Sequence, residues 1–413
     1  MERGALFLTV AGLALFLGSL PASADTELVE RDVPFEVPKT LPFPQAYVAD
    51  AAPGTNGTAH LVVTTAIGAF YLWLNTSTGE VIETVNLTEK GFLIAGFDYY
   101  YYSSSSDGFG FRYAIVAAQG SRVMVAHPFG YAGADVMFFD EGGAQEASLQ
   151  RQFFPITVVP PMPSYAYWYL TGFTLMENAR DPGRPSIVWA RSAAYGSYGY
   201  FGATEVGRID VDFASGTTEP AYQVVFLANT TVPYGLSSLS YTGDYPDAWR
   251  TGYQSAELSG VIDASGDAWI FGLFTSWWCS YYNYYGSCGS TQSRTNWSAI
   301  APDARVTPLA DLGALGPYYY YPAATVGSAA LAAPDDSVAA FLTVSTGGRI
   351  TVHWARADGL TASASNSTIA GYPATGTAAY LRDTQVRLVV ADLVNGTRVP
   401  GGRMREFSGW PDG

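Results

Sequence analysis

The segment from Val338 to Gly359 places the strongest constraint on what this chain can fold into. An apolar run from Val338 to Val344 is followed by a Ser-Thr-Gly-Gly turn at 345–348. Polar and apolar residues then alternate from Arg349 to Trp354. A two-residue period on either side of a glycine turn is typical of a β-hairpin with one buried face.

The same pattern occurs six times along the chain. The six predicted hairpins are Ala59–Leu74, Tyr113–His127, Ser186–Phe213, Leu258–Phe274, Ser337–Gly359 and Ala378–Leu393. Pro, Gly and β-branched residues interrupt every segment that is long enough to show a helical period. The sequence therefore predicts an all-β protein with very little helix.

The spacing of the hairpins favours a β-propeller. Five turn glycines, Gly68, Gly120, Gly196, Gly266 and Gly347, are separated by 52, 76, 70 and 81 residues. Sheets repeated around an axis tolerate such uneven units, because extra residues are placed in loops. We expect a β-propeller of about six blades, with five or seven also compatible; the alternative is a pair of β-sandwich domains.

One segment resembles the repeat of pyrroloquinoline-quinone-type (PQQ) and YVTN-type propellers. Gly68 to Ile82 reads GAFYLWLNTSTGEVI, in which a strand leads into a Thr-Gly-Glu turn and a second strand. Gly207–Thr217 and Val389–Val399 share the pattern more faintly. The resemblance implies propeller architecture only. Since no quinone-site motif is present, we expect no cofactor.

The first residues predict secretion. Residues 1–24 have the form of a signal peptide, with Arg3 near the start, an apolar run from Ala5 to Leu20 and the small-x-small cleavage site Ala22-Ser23-Ala24. An uncleaved anchor is the alternative, although the apolar run is shorter than the ~20 residues that span a bilayer. We expect a Pro-rich lead-in at 25–47, a single propeller-like domain at 48–413, and a secreted or cell-surface protein with no membrane span after cleavage.

The charge of the chain excludes two classes of partner. The formal net charge is −15, Lys39 and Lys90 are the lysines, and the arginines are scattered singly. Nucleic acids and anionic membranes both require clustered positive charge. The expected partner is therefore a glycan or an extracellular protein, and self-association is possible.

Asparagine usage supports a secreted glycoprotein. Seven of the nine asparagines begin an Asn-x-Ser/Thr triplet, whereas chance predicts roughly one or two. The predicted N-glycosylation sites are Asn56, Asn75, Asn86, Asn229, Asn296, Asn366 and Asn395. The alternative is that these asparagines belong to Ser/Thr-rich turns. Cys279 and Cys288 are the two cysteines, and in an oxidising compartment they are expected to form a disulfide across a short loop.

Aromatic clusters are the most distinctive candidate binding features. Tyr99–Tyr102, Tyr165–Tyr169 and Tyr318–Tyr321 each precede a predicted hairpin, and Trp277–Cys288 follows one. Flat rings with a polar edge suit the faces and hydroxyls of sugars, and rigid aromatics lose little entropy on binding. The alternative is that the rings pack between blades. The predicted binding residues are Trp277, Trp278, Tyr281, Tyr282, Tyr284 and Tyr285.

Signals for catalysis are weak, so an enzyme is not the favoured interpretation. No nucleophile elbow, zinc-protease motif or phosphate loop is present. Asp263–Asp267 resembles a calcium loop but lacks its glycine and closing glutamate, so we interpret it as a hairpin turn and expect no metal. The histidines, His60, His127 and His353, lie on predicted strands. They are far apart in sequence.

Two alternatives to a binding protein stay open. A glycoside hydrolase needs only two suitably separated carboxylates, but no catalytic pair can be chosen among the acidic residues that flank predicted strands. Those residues are Asp98, Asp140, Asp210, Asp212, Asp263 and Asp392. The repeated aspartate box of sialidases is absent, and Ser105–Phe111 resembles it only in degenerate form. The second alternative is a coat or matrix subunit that self-assembles through its tyrosines.

Overall fold

The structure is a computed structural model. It describes residues 29–36, 46–65, 68–92, 114–129, 133–142, 148–154, 166–195, 200–226, 251–282, 288–301, 306–313, 325–332, 337–344, 350–356, 361–366, 378–382, 387–394 and 401–408. Within these ranges nearly every residue lies in a β-strand or a tight turn, and the helical content is a single 3₁₀ turn at Thr55–Gly57.

Twenty-four strands are described. The first thirteen are β1 (Val29–Glu36), β2 (Ala46–Pro53), β3 (Thr58–Thr65), β4 (Gly68–Asn75), β5 (Val81–Asn86), β6 (Ile115–Gln119), β7 (Arg122–Pro128), β8 (Gly133–Asp140), β9 (Ser148–Phe153), β10 (Ala166–Asn178), β11 (Ser186–Tyr195), β12 (Tyr200–Asp212) and β13 (Thr217–Phe226). The others are β14 (Thr251–Ile262), β15 (Ala268–Tyr282), β16 (Cys288–Ile300), β17 (Val306–Gly313), β18 (Thr325–Ala332), β19 (Ser337–Val344), β20 (Ile350–Arg356), β21 (Thr361–Asn366), β22 (Ala378–Arg382), β23 (Arg387–Val394) and β24 (Gly401–Ser408).

These strands form a six-bladed β-propeller. Blades one to five are the antiparallel units β2–β5, β6–β9, β10–β13, β14–β17 and β18–β21, and the sixth is β22, β23 and β24 with β1. The first strand of each blade contacts the first strand of the next, so that β2, β6, β10, β14, β18 and β22 surround a central axis. Each predicted hairpin lies within one blade. The propeller prediction is thus confirmed, and the two-sandwich alternative is not adopted.

Strand β1 closes the ring. It pairs antiparallel with β24 from Val29↔Ser408 to Glu36↔Gly401 and so supplies the outer strand of the sixth blade. The ring of Phe35 lies against Gly402, at the place where a Cβ atom would stand. This strand belongs to the Pro-rich segment at 25–47, and the last two residues of that segment begin β2.

The Thr-Gly-Glu turn of blade one also contacts the closing strand. Gly79 has a φ of 74°, and the carbonyl oxygen of Pro34 occupies the position that a side chain would need. Both the left-handed backbone and the close approach require glycine here. The turn that carries the sequence resemblance therefore also helps to join the first blade to the last.

Blades three and four differ from the rest in two ways. Seven of their eight strands have 10 to 15 residues, whereas the strands of the other blades have 5 to 8. In addition, β10 and β14 are hydrogen-bonded in parallel from Met176↔Gly260 to Asn178↔Ile262. The two blades consequently form one eight-stranded sheet.

Candidate functional site

The long strands of blades three and four extend to the same side of the molecule. Because β10 and β14 run parallel and pair near their last residues, both begin at the opposite end. Strand β15 returns antiparallel along β14, with Thr251 in register with Trp278, so its last residues reach that end too. A strand seven residues longer than an eight-residue blade strand extends about 20 Å further. We call the part of β15–β16 from Trp277 to Gln292 the aromatic hairpin.

The structure places four of the six predicted binding residues in the aromatic hairpin. Trp277 lies in register between Gly252 and Ser293, and Trp278 lies between Thr251 and Gln292. The partners of Tyr281 and Tyr282 are Ser290 and Cys288. In this register all six partners except Cys288 are Gly, Ser, Thr or Gln. Tyr284 and Tyr285 lie outside the described residues.

The cysteines lie on the two strands of the same hairpin. Cys279 is in register with Thr291, and Cys288 is the first residue of β16. The register shifts by one residue after Cys279, where Tyr281 pairs with Ser290, and it shifts back at Tyr282, which pairs with Cys288. The disulfide between them stays a prediction.

The other aromatic clusters are described only in part. Tyr167, Trp168 and Tyr169 are the second to fourth residues of β10, in register with Ala194, Ala193 and Ser192. They therefore lie at the same end of the molecule as the aromatic hairpin. Tyr165, Tyr99–Tyr102 and Tyr318–Tyr321 lie outside the described residues.

Three predicted glycosylation sites have described side chains. Asn56 is exposed in the 3₁₀ turn with a φ of 53°. The Oδ1 atoms of Asn75 and Asn86 accept backbone N–H bonds from the turns that follow them, at 2.9 Å from Ser77 and 3.1 Å from Thr88. Asn296 lies on β16 and Asn366 ends β21. Asn229 and Asn395 are outside the described residues, and glycosylation at all seven sites stays a prediction.

Several predicted carboxylates serve local structure. Asp263 Oδ1 accepts N–H bonds from Ser265 and Asp267, each at 2.9 Å, which is the hairpin turn predicted for this segment. Asp212 Oδ1 accepts from Ala214 N at 2.8 Å, and Asp210 accepts from the Ser186 hydroxyl at 2.6 Å. Asp140 ends β8 and Asp392 lies on β23, whereas Asp98 is outside the described residues.

Two carboxyl groups that were not predicted from the sequence lie on inner strands. Asp50, on β2, accepts an N–H bond at 2.8 Å from Val116 of β6 and so joins two blades. Burial raises the pKa of Asp50 to about 7, although backbone N–H bonds from Val116 and Ala51 oppose the rise. Burial likewise raises the pKa of Glu177, on β10, to about 7. Their signal in the sequence is a single acid within an apolar strand, VADAA and TLMEN.

All three histidines lie on strands, as predicted. His60, on β3, is fully buried, and its Nδ1 atom is 2.7 Å from the Tyr71 hydroxyl. Its Nε2 atom is 3.6 Å from Glu141 Oε1, and burial lowers the His60 pKa to about 4. His127 is buried on β7, where burial again lowers the pKa to about 4. His353 lies on β20, so the histidines do not meet at one site.

The described residues contain neither a cluster of metal ligands nor a helix that could span a membrane. Within the described ranges no group of three or more His, Cys, Asp or Glu side chains is arranged to hold a metal ion. Over the same ranges, the chain forms no helix long and apolar enough to cross a membrane.

Comparison with known proteins supports no family assignment. No protein-family model and no curated protein matches the chain. Solved structures that align with it include the SapL1 lectin in complex with alpha methyl fucoside, at 8% identity over 84% of this chain and 92% of the lectin, with a TM-score of 0.41. The WD40 domain of Toxoplasma gondii coronin aligns at 7% identity over 94% and 89% of the two chains, with a TM-score of 0.41.

An endo-arabinase from Bacteroides thetaiotaomicron aligns at 10% identity over 70% of this chain and 92% of its own, with a TM-score of 0.34. Identities near one in ten and TM-scores below 0.5 indicate neither a common family nor a common activity. The propeller assignment rests on the strand pairing of this protein itself.

Proposed function

We propose that this protein is a secreted β-propeller that recognises glycans through its aromatic hairpin. The observation that carries the proposal is the position of Trp277, Trp278, Tyr281 and Tyr282 in the part of β15 that exceeds the length of an ordinary blade strand. Residues of the blades themselves stabilise the ring by packing. The last residues of β15 extend beyond the length that packing between blades requires, and this supports a role in recognition.

The chemistry of the extension suits a sugar. Indole and phenol rings present an apolar face to the C–H side of a pyranose, while the N–H or O–H group of the ring bonds a hydroxyl. In the same register the neighbouring strand carries Ser290, Gln292 and Ser293, which are residue types that can form hydrogen bonds. A disulfide between Cys279 and Cys288 would lower the entropy that the hairpin loses on binding.

Other parts of the sequence support an extracellular setting. The signal-like segment at 1–24 and the excess of Asn-x-Ser/Thr triplets are both expected of a secreted glycoprotein. We further propose that the Gly68–Ile82 repeat is related to PQQ- and YVTN-type repeats. This relation concerns architecture and brings no cofactor.

A polysaccharide panel tests the proposal. The purified secreted protein is compared with Trp277→Ser/Trp278→Ser and with Phe153→Ser, which removes an aromatic ring that is 66% exposed on blade two. We expect the wild type and Phe153→Ser to bind the same glycans and the double variant to lose at least tenfold in affinity. Thermal unfolding of each variant shows whether the ring is intact.

Other outcomes would assign the hairpin a different role. Equal binding by the double variant, or no binding by the wild type, contradicts glycan recognition at this site. Release of reducing sugar from a bound polysaccharide would identify the hydrolase alternative. Concentration-dependent assembly that the double variant loses, with no glycan bound, would identify the coat-subunit alternative.

A further inference from the structure

A cavity of about 240 Å³ lies at the end of the axis opposite to the aromatic hairpin. It is formed where β2, β6 and β10 finish, between the first three blades. Most of its wall is apolar, from Ala52, Ala117, Leu175, Pro185 and Phe213. At roughly 30 Å³ for a water-sized group, the cavity has room for about eight non-hydrogen atoms.

Among the described residues that line this cavity, Glu177 is the one ionisable residue. No hydrogen bond or ion pair joins its carboxylate to any of the described residues. An unpaired carboxylate against an apolar wall is costly, because the charged form loses hydration without gaining a partner. Burial raises the pKa of this group to about 7 for that reason.

Asn178 and Arg184, which are close to Glu177 along the chain, are engaged with other partners. The Asn178 amide donates to Arg184 O at 2.8 Å, and its Oδ1 accepts from Arg180 N at 3.1 Å and from Asp181 N at 3.0 Å. The Arg184 guanidinium lies 3.7 Å from Asp181 and 3.5 Å from Asp212. Among the residues that the structure describes, none forms an ion pair with Glu177.

We propose that this cavity binds a small organic cation, an ammonium group on a compact apolar body, with Glu177 as its counter-ion. The ammonium would supply the charge and the N–H donors that the carboxylate lacks, and the body would pack against the Ala, Leu, Pro and Phe wall. The formal net charge of −15 favours the approach of a cation over that of an anion. The site is at the opposite face from the aromatic hairpin, so its function does not depend on glycan binding.

The protonation of Glu177 gives the site a characteristic pH dependence. A cation binds the ionised carboxylate, so binding releases the proton that Glu177 holds in the free protein. With a pKa of about 7, the ionised fraction rises roughly tenfold between pH 6 and pH 8, and the affinity should rise by about the same factor. A neutral ligand would show no such rise.

Calorimetry with benzylammonium as the probe tests the site, using benzyl alcohol as a neutral analogue of the same size. The variants are Glu177→Gln, which keeps the shape of the side chain, and Asp50→Asn, which neutralises an inner-strand carboxyl that does not line the cavity. We expect wild type and Asp50→Asn to bind benzylammonium about tenfold more tightly at pH 8 than at pH 6. Glu177→Gln should lose at least tenfold at pH 8 together with the pH dependence.

Three results would overturn the proposal: no saturable binding of benzylammonium, equal binding of benzyl alcohol, or unchanged binding by Glu177→Gln. If Glu177→Gln fails to fold, the wild type alone tests the proposal: its affinity for benzylammonium should rise between pH 6 and pH 8, and its affinity for benzyl alcohol should not. Glycan binding by the same samples reports on the aromatic hairpin separately.

Discussion

Two neighbouring interfaces of the propeller are filled in different ways. Between blades one and two, Asp50, His60 and Tyr71 lie among the apolar side chains, and His60 Nδ1 is 2.7 Å from the Tyr71 hydroxyl. Between blades two and three the interior is apolar, with Phe154 stacked on Trp189 at a ring distance of 4.6 Å and Phe138 edge-on to Phe213 at 5.9 Å.

The polar contacts of the second interface lie at its rim. Gln150 Oε1 accepts from the backbone N–H of Thr218 at 3.0 Å, and Arg122 Nη1 donates to Ala214 O at 2.9 Å. An interface with titratable groups inside depends on pH, whereas an apolar interface depends on the fit of its rings. Neighbouring blades can therefore pack through either kind of contact. A change of pH should weaken the first interface, and a change in side-chain volume should weaken the second.

Trp189→Ala should produce the largest loss, because the ring is fully buried between blades two and three. Removing a buried Trp side chain costs about 3–5 kcal/mol. The matched change in the other interface is Trp73→Ala, which removes a half-buried ring and should cost less. Denaturant unfolding measures both, and equal losses would contradict the contrast between the interfaces.

Gly207→Ala should also destabilise the apolar interface. The Trp189 ring occupies the place where the new methyl group would stand, so the ring or the β12 backbone has to move. We expect a loss of about 2–3 kcal/mol, since overpacking a filled core typically costs 1–3 kcal/mol. Gly142→Ala is the control, because no atom lies within 4 Å of its Cβ position. A neutral Gly207→Ala would show that the interface is loosely packed.

Asp50→Asn should make the polar interface more stable at alkaline pH. The folded pKa of Asp50 is about 7 against 3.8 in the unfolded chain, so between these values the folded protein holds more protons. The stability that this group contributes therefore falls as pH rises through about 7. Asparagine keeps an acceptor for Val116 N without the charge.

We expect Asp50→Asn to gain about 1–2 kcal/mol over the wild type at pH 8 and little at pH 4. Unfolding across this pH range measures the difference. A constant difference between the two proteins at all pH values would show that Asp50 is solvated like a surface carboxylate.

Tyr71→Phe should give the smallest effect, about 1 kcal/mol. The ring stays in place against Phe139, but His60 Nδ1 loses its hydrogen-bond partner. His60 has a folded pKa of about 4, below its ordinary 6.5, so its contribution is present above pH 6.5 and is lost as pH falls toward 4. The stability of the variant against pH, and the imidazole titration by NMR, check this prediction. An unchanged His60 titration would contradict the pairing.

The six hairpins could be predicted from the sequence, but the four-stranded blades to which they belong could not be delimited from it. The turn glycines Gly120 and Gly266 lie between the first and second strands of their blades, whereas Gly68 begins the third strand of blade one. Gly196 and Gly347 fall in the connections between second and third strands. The sampling of two different turns of the same four-stranded unit therefore added to the unequal lengths of the blades themselves.

The buried acids on the inner strands, Asp50 and Glu177, could not be recognised from the sequence pattern. Asp50 and Glu177 gain their surroundings from other blades, as when Val116 bonds Asp50 across 66 positions. Periodicity reports only on the faces of a single strand. The aromatic hairpin, in contrast, is a local feature, and its residue types were visible in the sequence.

The pairing of β1 with β24 has a consequence for biosynthesis. The strand that completes the last blade is made first, and its partner follows only after residues 37 to 400 have been translated. Until then this N-terminal strand has no sheet to join. The sixth blade, and with it the closed ring, can therefore form only after the chain has been synthesised through β24.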